Sequence, residues 1–392
     1  MNSTANTIEM GVEIDIRQFK QIIHDMVLNT PTHAILGLGG PGIGKSESVA
    51  QVAAELGYNL IDLRLAQMSE VEIGGLIFPD KDTGRTHWLT PDYFPTDNKT
   101  ILLLDEITSA PKRVQVAAYQ LVLDHKVGQN KLPDGTIIIA LGNREDDGGV
   151  YVELAAPLAN RFEIYNIQCN TKIWLEDYAE NYVDQKTGKG INPLVTSFIR
   201  EHPSHLNRQE ESSNSLVFAT PRSWKRVSDV LNTQKDSTVS SLRVRANLGD
   251  VLGSEFLSYI SNIKSLPTID SILNGEAFEL PKDGKEILYI NSVLLSHFNE
   301  LVKTKGTCEE SVDLYGKITK VIEAEPADYA ASILSRCAKI DHETIRLYDV
   351  QASKKGESYG TSIKEVSSTM SIFGGAPADT VTENQELEDI YI

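Results

Sequence analysis

Eight residues, Gly39-Gly40-Pro41-Gly42-Ile43-Gly44-Lys45-Ser46, fit the spacing G-x-x-x-x-G-K-[ST], which turns successive backbone N–H groups toward a phosphate. The glycines allow the conformations such a cradle needs and let the phosphate approach the backbone closely. Lys45 supplies a point positive charge for β- and γ-phosphates, and Ser46 a hydroxyl for Mg²⁺. A helix beginning here adds its positive N-terminal dipole. The apolar run before these residues and the helical period after them are the context this mechanism requires, which sets them apart from an accidental match.

A second group carries the complementary chemistry. Ile101-Leu102-Leu103-Leu104 is an apolar run ending in Asp105-Glu106. An Asp at the carboxyl end of a buried strand can hold Mg²⁺ beside the cradle's Ser, and the next Glu can polarise a water for attack on a γ-phosphate. Alone, two acids after an apolar run mark only a charged turn; downstream of a phosphate cradle they mark hydrolysis. Asn143, in Gly142-Asn143-Arg144, is placed to hold the attacking water or a γ-phosphate oxygen, although an Asn after a strand is also an ordinary loop residue. Arg161, just before the run at Phe162, suits the charge on a transferring phosphoryl group, or else a surface ion pair. Thr220-Pro221-Arg222-Ser223-Trp224 opens a helix with Pro early in it, and Arg222 can lean over the nucleotide.

These residues need elements to position them. The runs His33–Leu38, Asn59–Leu63, Thr100–Leu104, Thr136–Leu141 and Phe162–Ile167 read as short buried strands. Ser46–Leu56, Pro111–Asp124 and Val152–Leu158 read as helices between them, an alternation that implies a parallel sheet covered on both faces. Residues 1–168 are thus expected to form an α/β nucleotide-binding domain. Residues 169–350 turn helical, as in Trp224–Leu231 and Leu242–Ile260, and are expected to form an α-helical lid and C-terminal region. Residues 351–392 read as a flexible acidic tail: no basic residue follows Lys364, while Asp379, Glu383, Glu386, Glu388 and Asp389 do.

Composition narrows the function class. The chain has 392 residues, 41% hydrophobic and 23% charged, enough for a sizeable core. A formal charge of −18 argues against wrapping nucleic acid or binding an anionic membrane. Cys169, Cys308 and Cys337 lie far apart and suggest neither zinc site nor disulfide framework. His202 and His205, with no Cys or acidic motif at ligand spacing nearby, read as solvated. No run reaches the roughly 18 apolar residues of a membrane span, so the cytoplasm is the expected compartment.

The order of cradle, Asp105-Glu106, Asn143, Arg161 and Arg222 resembles the AAA+ ATPases over residues 30–231. Leu104-Asp105-Glu106-Ile107, Ala110-Pro111-Lys112, Gln115-Val116-Ala117-Ala118-Tyr119 and Gly149-Val150-Tyr151-Val152-Glu153-Leu154 are similar to the MoxR-like and dynein-related branch. Ser109 and Arg144 stand where many MoxR proteins carry Arg and Pro. The resemblance implies a P-loop AAA+ core with a helical lid, ATP and Mg²⁺ as cofactors, and Walker A at Gly39–Ser46. It implies Walker B at Asp105 and Glu106, sensor 1 at Asn143, an arginine finger at Arg161 and sensor 2 at Arg222. It also implies a ring of identical subunits, usually a hexamer, acting on a protein client such as a von Willebrand factor A-type protein. The alternatives are a nucleic-acid-acting motor subunit of the McrB-like kind, which use GTP, and a scaffold that binds nucleotide but barely hydrolyses it. Residues 68–88 look like the insertion this branch places after the second strand, with a hairpin around Asp82-Thr83-Gly84. Trp88, Tyr93 and Phe94 line a pore there or pack as ordinary aromatics.

Overall fold

Alternating residues of the apolar runs are drawn to opposite sides, so the central runs are buried twice. In the computed structural model, which describes residues 11–147, 150–209, 216–233, 236–263, 272–273, 283–323 and 325–355, the runs become β2 (Ala34–Leu38), β3 (Asn59–Arg64), β6 (Thr100–Asp105), β9 (Ile137–Gly142) and β10 (Phe162–Gln168). With the short β1 (Val12–Asp15) they form one parallel sheet of six strands in the order β1-β10-β2-β9-β6-β3. Leu36, Leu102, Leu104, Ile138 and Ala140 point to one face, under Val114, Ala118 and Leu121 of α4 (Lys112–Asp124). Ile35, Ile101, Leu103, Ile137 and Ile139 point to the other, under Phe19 and Ile23 of α1 (Ile16–Asn29) and Val49 and Val52 of α2 (Lys45–Leu56). Period-two alternation between two helical layers makes the central strands β2, β6 and β9 almost wholly apolar and buried. By contrast β3, expected to be buried, is an edge strand that carries Asn59, Asp62 and Arg64 and is largely exposed or half-buried.

Two small hairpins leave this sheet. After α3 (Glu70–Gly74), β4 (Leu76–Asp80) pairs antiparallel with β5 (Arg85–Leu89), and β7 (Lys126–Val127) pairs with β8 (Asn130–Lys131). Asp80 caps the turn of the first: its carboxylate accepts from the Asp82 N–H and the Thr83 hydroxyl.

Two helical expectations need correction. Val152–Leu158 is not one helix; only α5 (Ala156–Ala159) forms. The preceding backbone is spent on other partners, with the Val152 N–H donating to Thr108 O and the Val152 carbonyl accepting from Gln115. Leu242–Ile260 is two helices, α9 (Ser237–Leu248) and α10 (Asp250–Ile263), because Gly249 adopts φ +86° between them. Before these lie α6 (Thr171–Ile173), continued by a π-helical turn Trp174–Ala179, α7 (Pro193–Glu201) and α8 (Pro221–Thr233).

The chain divides into two compact units. Residues 1–182 with 194–262 form the first, so the change from strand to helix at residue 168 falls inside it. Residues 183–193 with 263–392 form the second. In the second, helices Gly284–Lys305, Glu309–Ile322, Ala327–Ile340 and His342–Lys355 enclose Leu294, Phe298, Ile318, Ile333 and Cys337. The last helix reaches five residues into the expected tail, and the acidic stretch beyond Lys355 lies outside the described residues. No helix among the described residues is long and apolar enough to cross a membrane.

Candidate active site

The loop from β2 to α2 carries two left-handed glycines, Gly42 at φ +78° and Gly44 at φ +105°. No other residue type takes both without strain. The α2 helix starts at Lys45, a residue only 8% exposed, whose ammonium donates to Gly39 O at 2.5 Å, Gly40 O at 2.9 Å and Asn143 Oδ1 at 3.2 Å. Burial pulls its pKa down to about 8 against the attraction of Asp147 and Asp105. Next to it the Ser46 hydroxyl donates to Asp105 Oδ2 at 2.8 Å. An oxygen pair of this kind, hydroxyl and carboxylate at the mouth of the cradle, fits a hard divalent cation such as Mg²⁺.

Parallel strands explain the convergence. β2, β6 and β9 all end at the same side of the sheet, so Gly39, Asp105 and Asn143 arrive together from three distant stretches of chain. Glu106 follows in a left-handed conformation (φ +59°) that a non-glycine residue rarely adopts. Asn143 is fixed by a residue that sequence reading passed over. Thr108 Oγ1 accepts from the Asn143 N–H and donates to the Asn143 carbonyl, both at 2.9 Å. Arg144 pairs with Asp147 at 3.0 Å, and Gln209 Nε2 donates to Asp147 O at 2.9 Å. Nothing in the spacing of Thr108, Asp147 or Gln209 announces these contacts; they depend on which strand ends become neighbours.

The first turn of α8 closes onto the cradle. The Arg222 N–H donates to Gly42 O at 3.2 Å, and a Cβ on Gly42 would stand 3.0 Å from Thr220 Oγ1. The Arg222 side chain is exposed, and its charge is felt at Lys45. Beside the cradle lies a cavity of about 270 Å³ bounded by Gly40, Ile43, Ile167, Cys169, Asn207 and Arg208. Burial pushes the Cys169 thiol up to about 12, so it is a neutral part of that wall.

Arg161 is not brought to this place. It precedes β10, whose Phe162 pairs with Ala34 at the start of β2, whereas the cradle follows Leu38 at its end. Four strand steps, about 13 Å, separate the two ends. The Arg161 side chain is exposed and has no ion-pair partner among the described residues.

The aromatic candidates of the insertion are packing residues. A Cβ on Gly128 would meet the Trp88 ring at 2.4 Å, the Tyr93 hydroxyl donates to Ile73 O at 2.5 Å, and Phe94 packs on the core. The exposed large apolar side chains there include Val71 of α3, Leu76, Ile77 and Phe78 of β4 and Leu89 of β5.

Residues 35–167 match the family described as ATPase family associated with various cellular activities (AAA). No curated protein matches the chain. Among solved structures the chain is similar to NtrX from Brucella abortus, at 16% identity and TM-score 0.36, covering 83% of this chain and 69% of that one. It is also similar to the RuvB Holliday junction branch migration motor of Thermotoga maritima, at 15% identity and TM-score 0.35, covering 74% and 86%. A third is Hsp104 in a closed state with ATPγS and casein, at 16% identity and TM-score 0.38, covering 59% and 44%.

Proposed function

We propose, from the premise that residues 35–167 carry an AAA ATPase domain, that this chain hydrolyses ATP with Mg²⁺ in a ring of identical subunits. Phosphate oxygens replace the Gly39 and Gly40 carbonyls as partners of Lys45, and Ser46 with Asp105 holds Mg²⁺. Glu106 takes the proton of the attacking water, which Asn143 orients, and Arg222 carries the state of the γ-phosphate to α8. The observation behind the ring is the position of Arg161, exposed at the opposite end of β10 from the cradle. A cation there cannot reach its own nucleotide but is presented to a neighbouring copy. The MoxR-like sequence features favour a protein client, with a von Willebrand factor A-type protein as a candidate, and the charge of −18 weighs against a nucleic-acid track.

Mixing two inactive variants tests this reading. Arg161→Ala should bind ATP and hydrolyse it slowly, since a finger of this type contributes roughly 10³–10⁵ in rate. Glu106→Gln should bind ATP and lose about 10²-fold or more in turnover. Together they form interfaces in which one subunit supplies Glu106 and its neighbour Arg161, so part of the activity should return. Mixed assemblies without any recovery would remove the main support for action between subunits.

A further inference from the structure

We propose that His202, His205 and Glu255 bind a divalent ion of the zinc class, and that this ion fastens the loop forming one wall of the cavity beside the cradle. In the sequence both histidines read as solvated, but His205 is buried and the two rings stack with centroids 5.1 Å apart. His202 follows α7, His205 ends the short 3₁₀ turn Pro203–His205, and Glu255 reaches them from α10. One donor atom from each lies within 4.8 Å of the others. His205 Nε2 and Glu255 Oε1 are already 3.2 Å apart. Ligands of a tetrahedral zinc ion, bound at about 2.1 Å, stand roughly 3.4 Å from one another. The remaining closure falls to His202, which is partly exposed and can rotate. Imidazole and carboxylate together suit zinc better than magnesium or calcium, which prefer oxygen alone.

The surroundings prepare His205 as a ligand. Its Nδ1 lies 3.2 Å from Ser204 Oγ, a partner that leaves Nε2 facing Glu255, and its carbonyl accepts the Trp224 indole N–H at 2.9 Å. A buried histidine satisfied by one carboxylate accounts for His205 and Glu255 but not for the second imidazole stacked on it; His202 Nε2 lies 3.4 Å from Glu201 Oε1 and leaves that carboxylate to complete the set. One group opposes the ion: Arg208 Nη2 stands 3.4 Å from His205 Nε2 and must turn away as the ion enters. Pro203, Ser204, Asn207 and Arg208 line the cavity, so an ion joining α7, this loop and α10 sets the position of that wall.

The test uses the full chain, stripped with a chelator and kept in excess Mg²⁺ so that oxygen-rich sites are filled. Co²⁺ titration should give a visible d–d band saturating at one equivalent, and Zn²⁺ should abolish it. His202→Ala and Glu255→Gln change exposed or partly exposed side chains, so both should keep the far-UV circular dichroism of the parent while binding Co²⁺ at least about tenfold more weakly. Zn²⁺ should raise the melting temperature of the parent and not of His202→Ala. No band at stoichiometric Co²⁺, or equal affinity in the parent and both variants, would overturn the assignment.

Discussion

Lys45 is held charged by its neighbours and discouraged from charge by its burial, and the balance leaves its pKa at about 8. Triphosphate binding requires the ammonium, so above pH 8 the free protein must take up a proton to bind. ATP affinity should therefore be flat below pH 8 and fall about tenfold for each further pH unit, a slope that isothermal titration can read. Lys45→Ala should bind too weakly for that slope to be measured; undiminished binding by the variant would refute the cradle. Thr108 tests a different element of the site. Its hydroxyl meets both backbone groups of Asn143 while 1% exposed. Thr108→Val leaves a part-buried N–H and carbonyl without that partner, at up to about 1–3 kcal/mol. We expect ATP binding to persist and steady-state turnover to drop about tenfold, because Asn143 loses its position. Unchanged turnover would mean that Asn143 needs no such anchor.

At the scale of elements, the described helices of the second unit enclose a buried acid. Glu325 is 6% exposed, accepts from Asn291 Nδ2 at 2.9 Å, and burial raises its pKa to about 7 from an ordinary 4.5. Its folded-state pKa lies above the unfolded one, so the folded state keeps a proton that the unfolded chain has already lost. The resulting stability is fully present below pH 4.5 and lost as the pH rises through 7, about 3 kcal/mol over the whole span. Glu325→Gln should remove this dependence and melt higher than the parent at pH 8, with little difference near pH 5. Parallel melting profiles from pH 5 to 8 would show that Glu325 is not the group responsible. The hairpins obey packing in the same way: Gly128, at φ +59°, gives the Trp88 ring its place, and Leu76, Ile77 and Phe78 are left outward.

For the molecule as a whole, the proposed ring rests on the two ends of the sheet. Its carboxyl end gathers Lys45, Ser46, Asp105 and Asn143, while Arg161 begins a strand at the other end. Nucleotide binding should therefore be independent of protein concentration, and turnover per chain should rise with concentration until assembly is complete. Sedimentation and ATPase assays over one dilution series check this together. Constant turnover across the dissociation of the assembly would place the whole reaction within one chain.

The amino-acid sequence by itself marked five of the six strands of the sheet, missing the short β1, together with the phosphate cradle and the acids at the end of β6. Each of these is a local signal: a buried run of apolar residues, a glycine spacing that only one loop geometry uses, a charge where a strand leaves the core. Sequence order also marked the helix at Pro221, since a proline early in a helix is a local preference. Other features were invisible because they are contacts between segments far apart in the chain. Thr108 beneath Asn143, Gln209 on Asp147 and His205 against Glu255 join residues 35 to 62 positions apart. The expected helix at Val152 failed for the same reason, its backbone hydrogen bonds being taken by Thr108 and Gln115. Tertiary structure alone decided those pairings, because burying two faces of a parallel sheet fixes which loops meet at its ends, and no residue's own preference records that choice.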